Sequence, residues 1–118
     1  MKLKSDSGGG EQLISRVTKP THIKIGSVDY PIRWEAEVSD DHGRSLYGQL
    51  RHSPEDEVVM SSATSLVRQR ESLLHEIIHS IDNRLDLALK EKVVGQLSVG
   101  LFETMLDNMK LMKWILGL

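Results

Sequence analysis

The sequence predicts an α+β domain, a small antiparallel or mixed sheet followed by packed helices. Short runs that alternate apolar and polar residues fill the chain from about residue 21 to residue 60, a pattern typical of strands. From about residue 63 onwards, apolar residues instead recur every three to four positions, which is the period of an α-helix. Strands that all precede the helices favour the α+β class.

The composition limits the possible functions. A chain of 118 residues suits a single domain, which we expect over residues 13–118 after a flexible, glycine-rich leader at 1–12. Without cysteine, a bound metal would need His, Asp or Glu ligands. A formal charge of −2 gives no reason to expect nucleic acid as a partner. Because no segment resembles a signal peptide or a membrane span, we expect a cytoplasmic protein that does not bind membranes.

The predicted sheet begins with a hairpin. The run "HIKI" alternates, and after a turn in "GSVDY" the run "PIRWEAEV" continues with Ile32 and Trp34 on one face. Pro31 is expected at a strand start or on an edge, because it has no N–H to donate. A polar loop at 39–45 should lead to a third strand in 46–52, and the apolar residues 58–60 should form a short fourth strand.

The predicted helices occupy the second half of the chain. The first runs from about 63 to 85, with the serines of "MSSATS" as N-cap candidates and an apolar stripe. The stripe consists of Leu66, the aliphatic stem of Arg70, Leu73, Leu74, Ile77, Ile78, Ile81 and Leu85. The second runs from about 90 to 108, and its expected buried residues are Val94, Leu97, Leu101, Met105 and Leu106. The tail should form a short packed helix, with Trp114, like Trp34, in or near the core.

The first helix carries the motif His75-Glu76-Ile77-Ile78-His79. Residues four apart project from the same helix face, so the two imidazoles can bind one zinc ion. Glu76 is rotated about 100° from His75 and can instead act as general base on a water that the ion activates. HExxH on a helix is the signature of zinc metalloproteases, although two unused histidines on a solvated face would give the same letters.

A catalytic zinc ion needs a third protein ligand, for which Glu91 on the second helix is the first candidate. Gly95 and Ser98 share its helix face, and such small residues allow close approach to a neighbour. A first-turn acid favoured by the helix dipole is the alternative explanation of Glu91. Asp82 and Asp86 are competing ligand candidates, and Asp82 also suits a hydrogen bond to a ligand histidine.

The longer HExxHxxGxxH pattern is absent, because Asp82 and Leu85 occupy its glycine and third-histidine positions. An oxyanion-stabilising residue is not assigned. The aromatic and imidazole side chains that could supply one are Tyr30, Tyr47, His22, His42 and His52.

The motif "LLHEIIHSID" followed by "EKVVGQLSVGLFETMLDN" resembles the zincin metallopeptidases of gluzincin type. The similarity is greatest to the compact ImmA/IrrE-like members found in phages and mobile elements, and it spans roughly residues 21–108. The interval from His79 to Glu91 is short for that family, and no helix-turn-helix region accompanies the domain.

The resemblance implies a zinc peptidase in which His75, His79 and Glu91 bind the ion and Glu76 is the general base. It also implies that the strand before the motif helix, about 57–60, is an edge strand that pairs with an extended peptide or protein substrate, such as a regulatory protein. The alternative is an inactive zincin that binds metal and serves as a protein-binding module.

Overall fold

The computed structural model describes residues 18–52 and 55–118, and it confirms the α+β class. The predicted leader at 1–12 lies outside these residues. The strands are β1 (His22–Ile25), β2 (Val28–Glu35), β3 (Val38–Ser39), β4 (Ser45–Leu46), β5 (Gly48–Arg51) and β6 (Glu57–Ser61). The helices are α1 (Leu66–Leu85), α2 (Glu91–Asp107) and α3 (Met109–Leu116).

The main sheet is mixed and has the strand order β1-β2-β6-β5. The predicted hairpin is confirmed as β1 and β2, which pair antiparallel around a turn at Gly26, whose φ is 61°. Alternation along β2 and β6 sends one set of side chains to the face that α1 covers. The core there consists of Tyr30, Ile32, Val58 and Met60, with Trp34 and Leu73 partly buried against it.

Strand β6 lies inside the sheet, so the expectation of an edge strand at 57–60 is wrong. It pairs parallel with β2 on one side and antiparallel with β5 on the other. Val58, Val59 and Met60 are all fully buried. Three consecutive apolar residues are typical of a strand covered on both faces, and this signal identifies an inner strand. The edge strand near the motif helix is β5.

Pro31 lies inside β2, not at the start of a strand or on an edge as expected. The Ile32 N–H donates to the Thr21 carbonyl at 2.8 Å. Because hydrogen bonding in an antiparallel pair alternates, the neighbouring Pro31 nitrogen points away from β1. On its other side, the ladder with β6 begins only at Ile32. Proline is tolerated here since no partner strand requires its N–H.

The predicted third strand is divided into β4 and β5. Strand β4 pairs with β3 in a separate two-stranded ribbon around the predicted polar loop. Asp40 fixes this loop, since its carboxylate accepts hydrogen bonds from the His42 and Arg44 backbone N–H groups and from the Arg44 side chain, at 2.8–2.9 Å. The following strand β5 leaves the ribbon and pairs with β6 in the main sheet.

Helix α1 begins after Ser65, whose side chain accepts the Arg68 N–H at 3.2 Å, so a serine N-cap is confirmed. The predicted apolar stripe is only partly correct. Leu66, Ile81 and Leu85 are exposed. The residues that become buried include a polar set: Gln69, Ser72, Glu76 and Ser80. The sheet covers one side of α1 and α2 covers another, so burial extends beyond the apolar stripe.

Helix α2 packs against α1 through its first two turns, where Val94 and Ser98 are buried. The prediction of the buried side is wrong at Leu97, which lies within these two turns, and at Leu101 and Leu106 beyond them, since the three side chains are 42–60% exposed. The short tail helix α3 is confirmed, but it is exposed throughout except at Met112, and Trp114 is 79% exposed, not packed. None of the helices in the described ranges combines the length and apolar character needed to cross a membrane.

Candidate metal centre

Three side chains converge where α2 begins beside the middle of α1. His75 and His79 lie one turn apart on α1, and their Nε2 atoms are 3.1 Å apart. Glu91, the first residue of α2, places Oε2 2.8 Å from His75 Nε2 and Oε1 2.8 Å from His79 Nε2. The structure thus brings together the two motif histidines and the first candidate for a third ligand.

These distances fit a metal ion. Zinc bonds of about 2.0–2.1 Å in a tetrahedral arrangement separate neighbouring ligand atoms by about 3.3 Å. The ligand atoms of the three residues lie within 4.8 Å of one another, and their closest approaches are 2.8–3.1 Å. A small inward or outward shift of each side chain accommodates an ion of this size. The group can therefore hold a metal ion, and this geometry alone does not distinguish zinc from other metals that accept imidazole and carboxylate.

The turn between α1 and α2 positions Glu91. Helix α1 ends at Asp86, which adopts the left-handed conformation with φ of 53° and donates its backbone N–H to the Asp82 carbonyl. The Asp82 side chain then accepts the Leu89 N–H at 3.1 Å. In this way α2 starts only five residues after Asp86, directly beside the histidines.

Neither competing aspartate completes the metal cluster. Asp86 is the C-cap of α1, and the cluster found among the described residues contains Glu91 instead. The Asp82 carboxylate accepts the Leu89 backbone N–H, and within residues 18–52 and 55–118 it makes no hydrogen bond to a histidine, so the expected bond to a ligand imidazole is not found there. Asp82 acts on the site through the turn that places Glu91.

Glu76, the residue that follows His75 on α1, is only 6% exposed. The pKa of its carboxyl group is raised to about 7, mainly by burial and in part by the nearby charge of Glu91. The Leu50 backbone N–H, which hydrogen-bonds the carboxylate, partly opposes this effect. A carboxyl group with a pKa near neutrality can both accept and donate a proton, as general acid–base chemistry requires.

A cleft of about 690 Å³ opens in front of the three ligand candidates. Strand β5 forms one wall. Because the Ser61 N–H donates to the Tyr47 carbonyl at 2.9 Å, the antiparallel alternation turns the backbone groups of Gly48 and Leu50 away from β6. Gly48 and Leu50 also line the cleft, so the wall presents backbone N–H and C=O groups to it.

Several cleft residues were not identified from the sequence. They are Asp40, Arg44, Gln49 and Asn83. His52 and Tyr47 lie at the two ends of β5, where His52 lines this cleft and Tyr47 lines an adjacent depression that also contacts His75. Tyr30 belongs to the core and is excluded as an oxyanion donor. Both His52 and Tyr47 fall within the predicted third strand at 46–52, and nothing else in the sequence indicates that they lie near the histidines.

Comparisons with protein-family models, with curated proteins and with solved structures give no match to this chain.

Proposed function

We propose that this chain is a zinc-dependent peptidase in which His75, His79 and Glu91 bind the ion and Glu76 is the general base. The observation that supports this most strongly is the convergence of the three ligand side chains at an open cleft, where one ligand atom from each residue lies within 4.8 Å of the others. A solvated face with two unused histidines would not require a glutamate from another helix to meet both of them.

In the proposed mechanism, the zinc ion and Glu76 have separate roles. Zinc, when bound, polarises the scissile carbonyl and makes a water molecule acidic enough to be deprotonated near neutral pH. Glu76 accepts the proton of the attacking water and delivers it to the nitrogen of the leaving amine. Its burial supports this role, because the carboxylate is shielded from bulk solvent and held by the Leu50 N–H.

The proposed substrate is an extended peptide segment that pairs with β5. The backbone N–H and C=O of Gly48 and the C=O of Leu50 supply the hydrogen bonds, as in other cases of β-strand addition, while the Leu50 N–H remains bonded to Glu76. Strand β5 replaces the inner strand β6 in this role. Peptide substrates can carry N-methyl groups at either of two alternating sets of positions. The set that removes the N–H groups facing β5 should slow cleavage, and the other set should leave cleavage normal. Equal cleavage with both sets would contradict pairing with β5.

Metal binding is tested by elemental analysis of the purified protein. We expect one zinc ion for each chain, and its loss in both His75→Ala and Glu91→Ala. Glu103→Ala is a matched control for Glu91, because it removes an exposed glutamate from the same helix. His22→Ala is the control for His75, since it lies on β1 at the opposite edge of the sheet. A protein that never binds zinc or a similar ion contradicts the proposal.

The general base is tested with Glu76→Gln. This variant should retain the ion and lose peptide hydrolysis by at least about 10²-fold, the typical contribution of general base catalysis. Full activity would refute the proposed role of Glu76. A zinc-loaded wild-type protein that binds peptides without cleaving them would instead support the alternative of an inactive, protein-binding zincin.

A further inference from the structure

One ligand histidine has a second polar partner. With its Nε2 directed at Glu91 and His79, the remaining ring nitrogen of His75, Nδ1, lies 3.4 Å from the Ser98 hydroxyl oxygen. This is a long hydrogen bond, but it is made away from bulk water, because Ser98 is only 2% exposed. Ser98 lies two turns after Glu91, so one face of α2 reaches both nitrogens of the same imidazole.

The direction of this bond follows from the other partner of Ser98. Its hydroxyl donates to the Gly95 carbonyl at 2.9 Å and therefore has only lone pairs left for His75. The bond then requires a proton on His75 Nδ1. A neutral imidazole protonated at Nδ1 carries its free lone pair on Nε2, which is the atom directed at the metal position.

Gly95 contributes through its backbone carbonyl, which accepts the Ser98 hydroxyl and so holds it beside the His75 ring. The helix backbone passes close to the imidazole here, because a Cβ atom added at Gly95 would lie 4.0 Å from the ring, an ordinary contact distance. His79 has no corresponding partner for its Nδ1 among the hydrogen bonds of residues 18–52 and 55–118.

We propose that Ser98 is a positioning residue of the metal centre: it accepts the His75 Nδ1–H and so fixes the tautomer and the ring orientation in which Nε2 binds the ion. This inference rests on the proposed function, because it takes His75 as a ligand. Partners of this kind typically change metal affinity by 10–100-fold when they are removed.

The test compares three variants. We expect Ser98→Ala to weaken zinc binding 10–100-fold in competition with a chromophoric chelator, and Ser98→Thr, which keeps the hydroxyl, to restore most of it. Thr104→Ala is the matched control, since Thr104 also donates a helix hydroxyl to a carbonyl, that of Gly100, at 2.7 Å, but is exposed and distant from His75. It should leave zinc affinity unchanged.

A spectroscopic measurement separates positioning from a general effect on folding. In the zinc-loaded wild-type protein, ¹⁵N NMR of the imidazoles should show His75 with a protonated Nδ1 in slow exchange with solvent. In Ser98→Ala that proton should exchange faster, while the His79 signals stay in place. A metal-bound Nδ1 at His75, or unchanged affinity in Ser98→Ala, would overturn the inference.

The outcomes also distinguish this inference from the proposed function. Zinc binding that depends on Ser98 without peptide hydrolysis would sustain the inference and refute the peptidase. Hydrolysis and zinc binding that do not depend on Ser98 would sustain the peptidase and refute the inference. A wild-type protein that binds no zinc would refute both.

Discussion

Glu76 shows how a single residue can have opposite effects on stability and on the proposed chemistry. Its carboxyl group is buried, and its pKa is raised from 4.5 to about 7. The unfolded chain therefore releases this proton at lower pH than the folded chain does. Between pH 4.5 and 7 the folded state binds more protons, so this group makes the protein less stable as pH rises through that range.

Glu76→Gln should remove this dependence in the metal-free protein. We expect the variant to be about 1–3 kcal/mol more stable than wild type at pH 8, because each pKa unit corresponds to about 1.4 kcal/mol. Near pH 4.5 the two proteins should differ by less than about 0.5 kcal/mol, as neither carries a buried charge there. Denaturant unfolding in the presence of a chelator at both pH values measures this.

The exposed Glu103→Gln serves as the control, with no gain at either pH. An equal gain for Glu76→Gln at both pH values would show that its burial does not favour the protonated form.

The sequence was sufficient to identify His75, Glu76 and His79 as a motif, because helical spacing alone determines which side chains share a face. It could not show that Glu76 is buried. That burial depends on β5 lying over α1, with the Leu50 N–H at the carboxylate, and strand positions are set by pairing partners distant in sequence.

At the scale of elements, the turn from α1 to α2 places Glu91, the proposed third ligand, beside the histidines. Asp82→Ala removes the acceptor of the Leu89 N–H. We expect a loss of about 0.5–2 kcal/mol in the free energy of unfolding, similar to the loss of a helix cap, and weaker zinc binding because Glu91 is less firmly placed. Asp82→Asn keeps an acceptor oxygen and should lie closer to wild type in both measurements.

Chemical denaturation and chelator competition together check this prediction. If Asp82→Ala loses stability while its zinc affinity is unaltered, the turn does not control the site.

The elements themselves were largely predictable, whereas their neighbours were not. The hairpin, the two long helices and the tail helix follow from local periodicity. The inner position of β6 is a matter of order in the sheet, which local periodicity does not encode. The buried side of α2 was overestimated for a related reason: its apolar residues beyond Ser98 extend past the partner helix that would cover them.

At the scale of the whole molecule, the sheet, α1 and the first half of α2 form the packed part of the structure, and α3 adds little to it. Deleting residues 109–118 should change the free energy of unfolding by less than about 1 kcal/mol, because every residue of α3 except Met112 is exposed. Zinc stoichiometry should stay the same. A large loss of stability would show that α3 packs on the domain.

Tryptophan fluorescence provides an independent check on α3. In Trp34→Phe, the remaining Trp114 should be quenched efficiently by acrylamide, as expected for a side chain that is 79% exposed. Trp114→Phe leaves Trp34, which is partly buried and donates its ring N–H to the Pro20 carbonyl at 2.9 Å, and it should be quenched less.

Because Glu91 opens one helix while both histidines belong to another, occupancy of the site is thermodynamically linked to the docking of α2. Free zinc at a concentration 100 times its dissociation constant would stabilise the state in which α2 is docked on α1 by about 2.7 kcal/mol. Amide hydrogens in the first turns of α2 should therefore exchange with deuterium more slowly as zinc is added, while those of the inner strand β6 should change little. The availability of the ion would then govern how often this helix detaches, and with it how long the chain survives proteases that cleave detached segments.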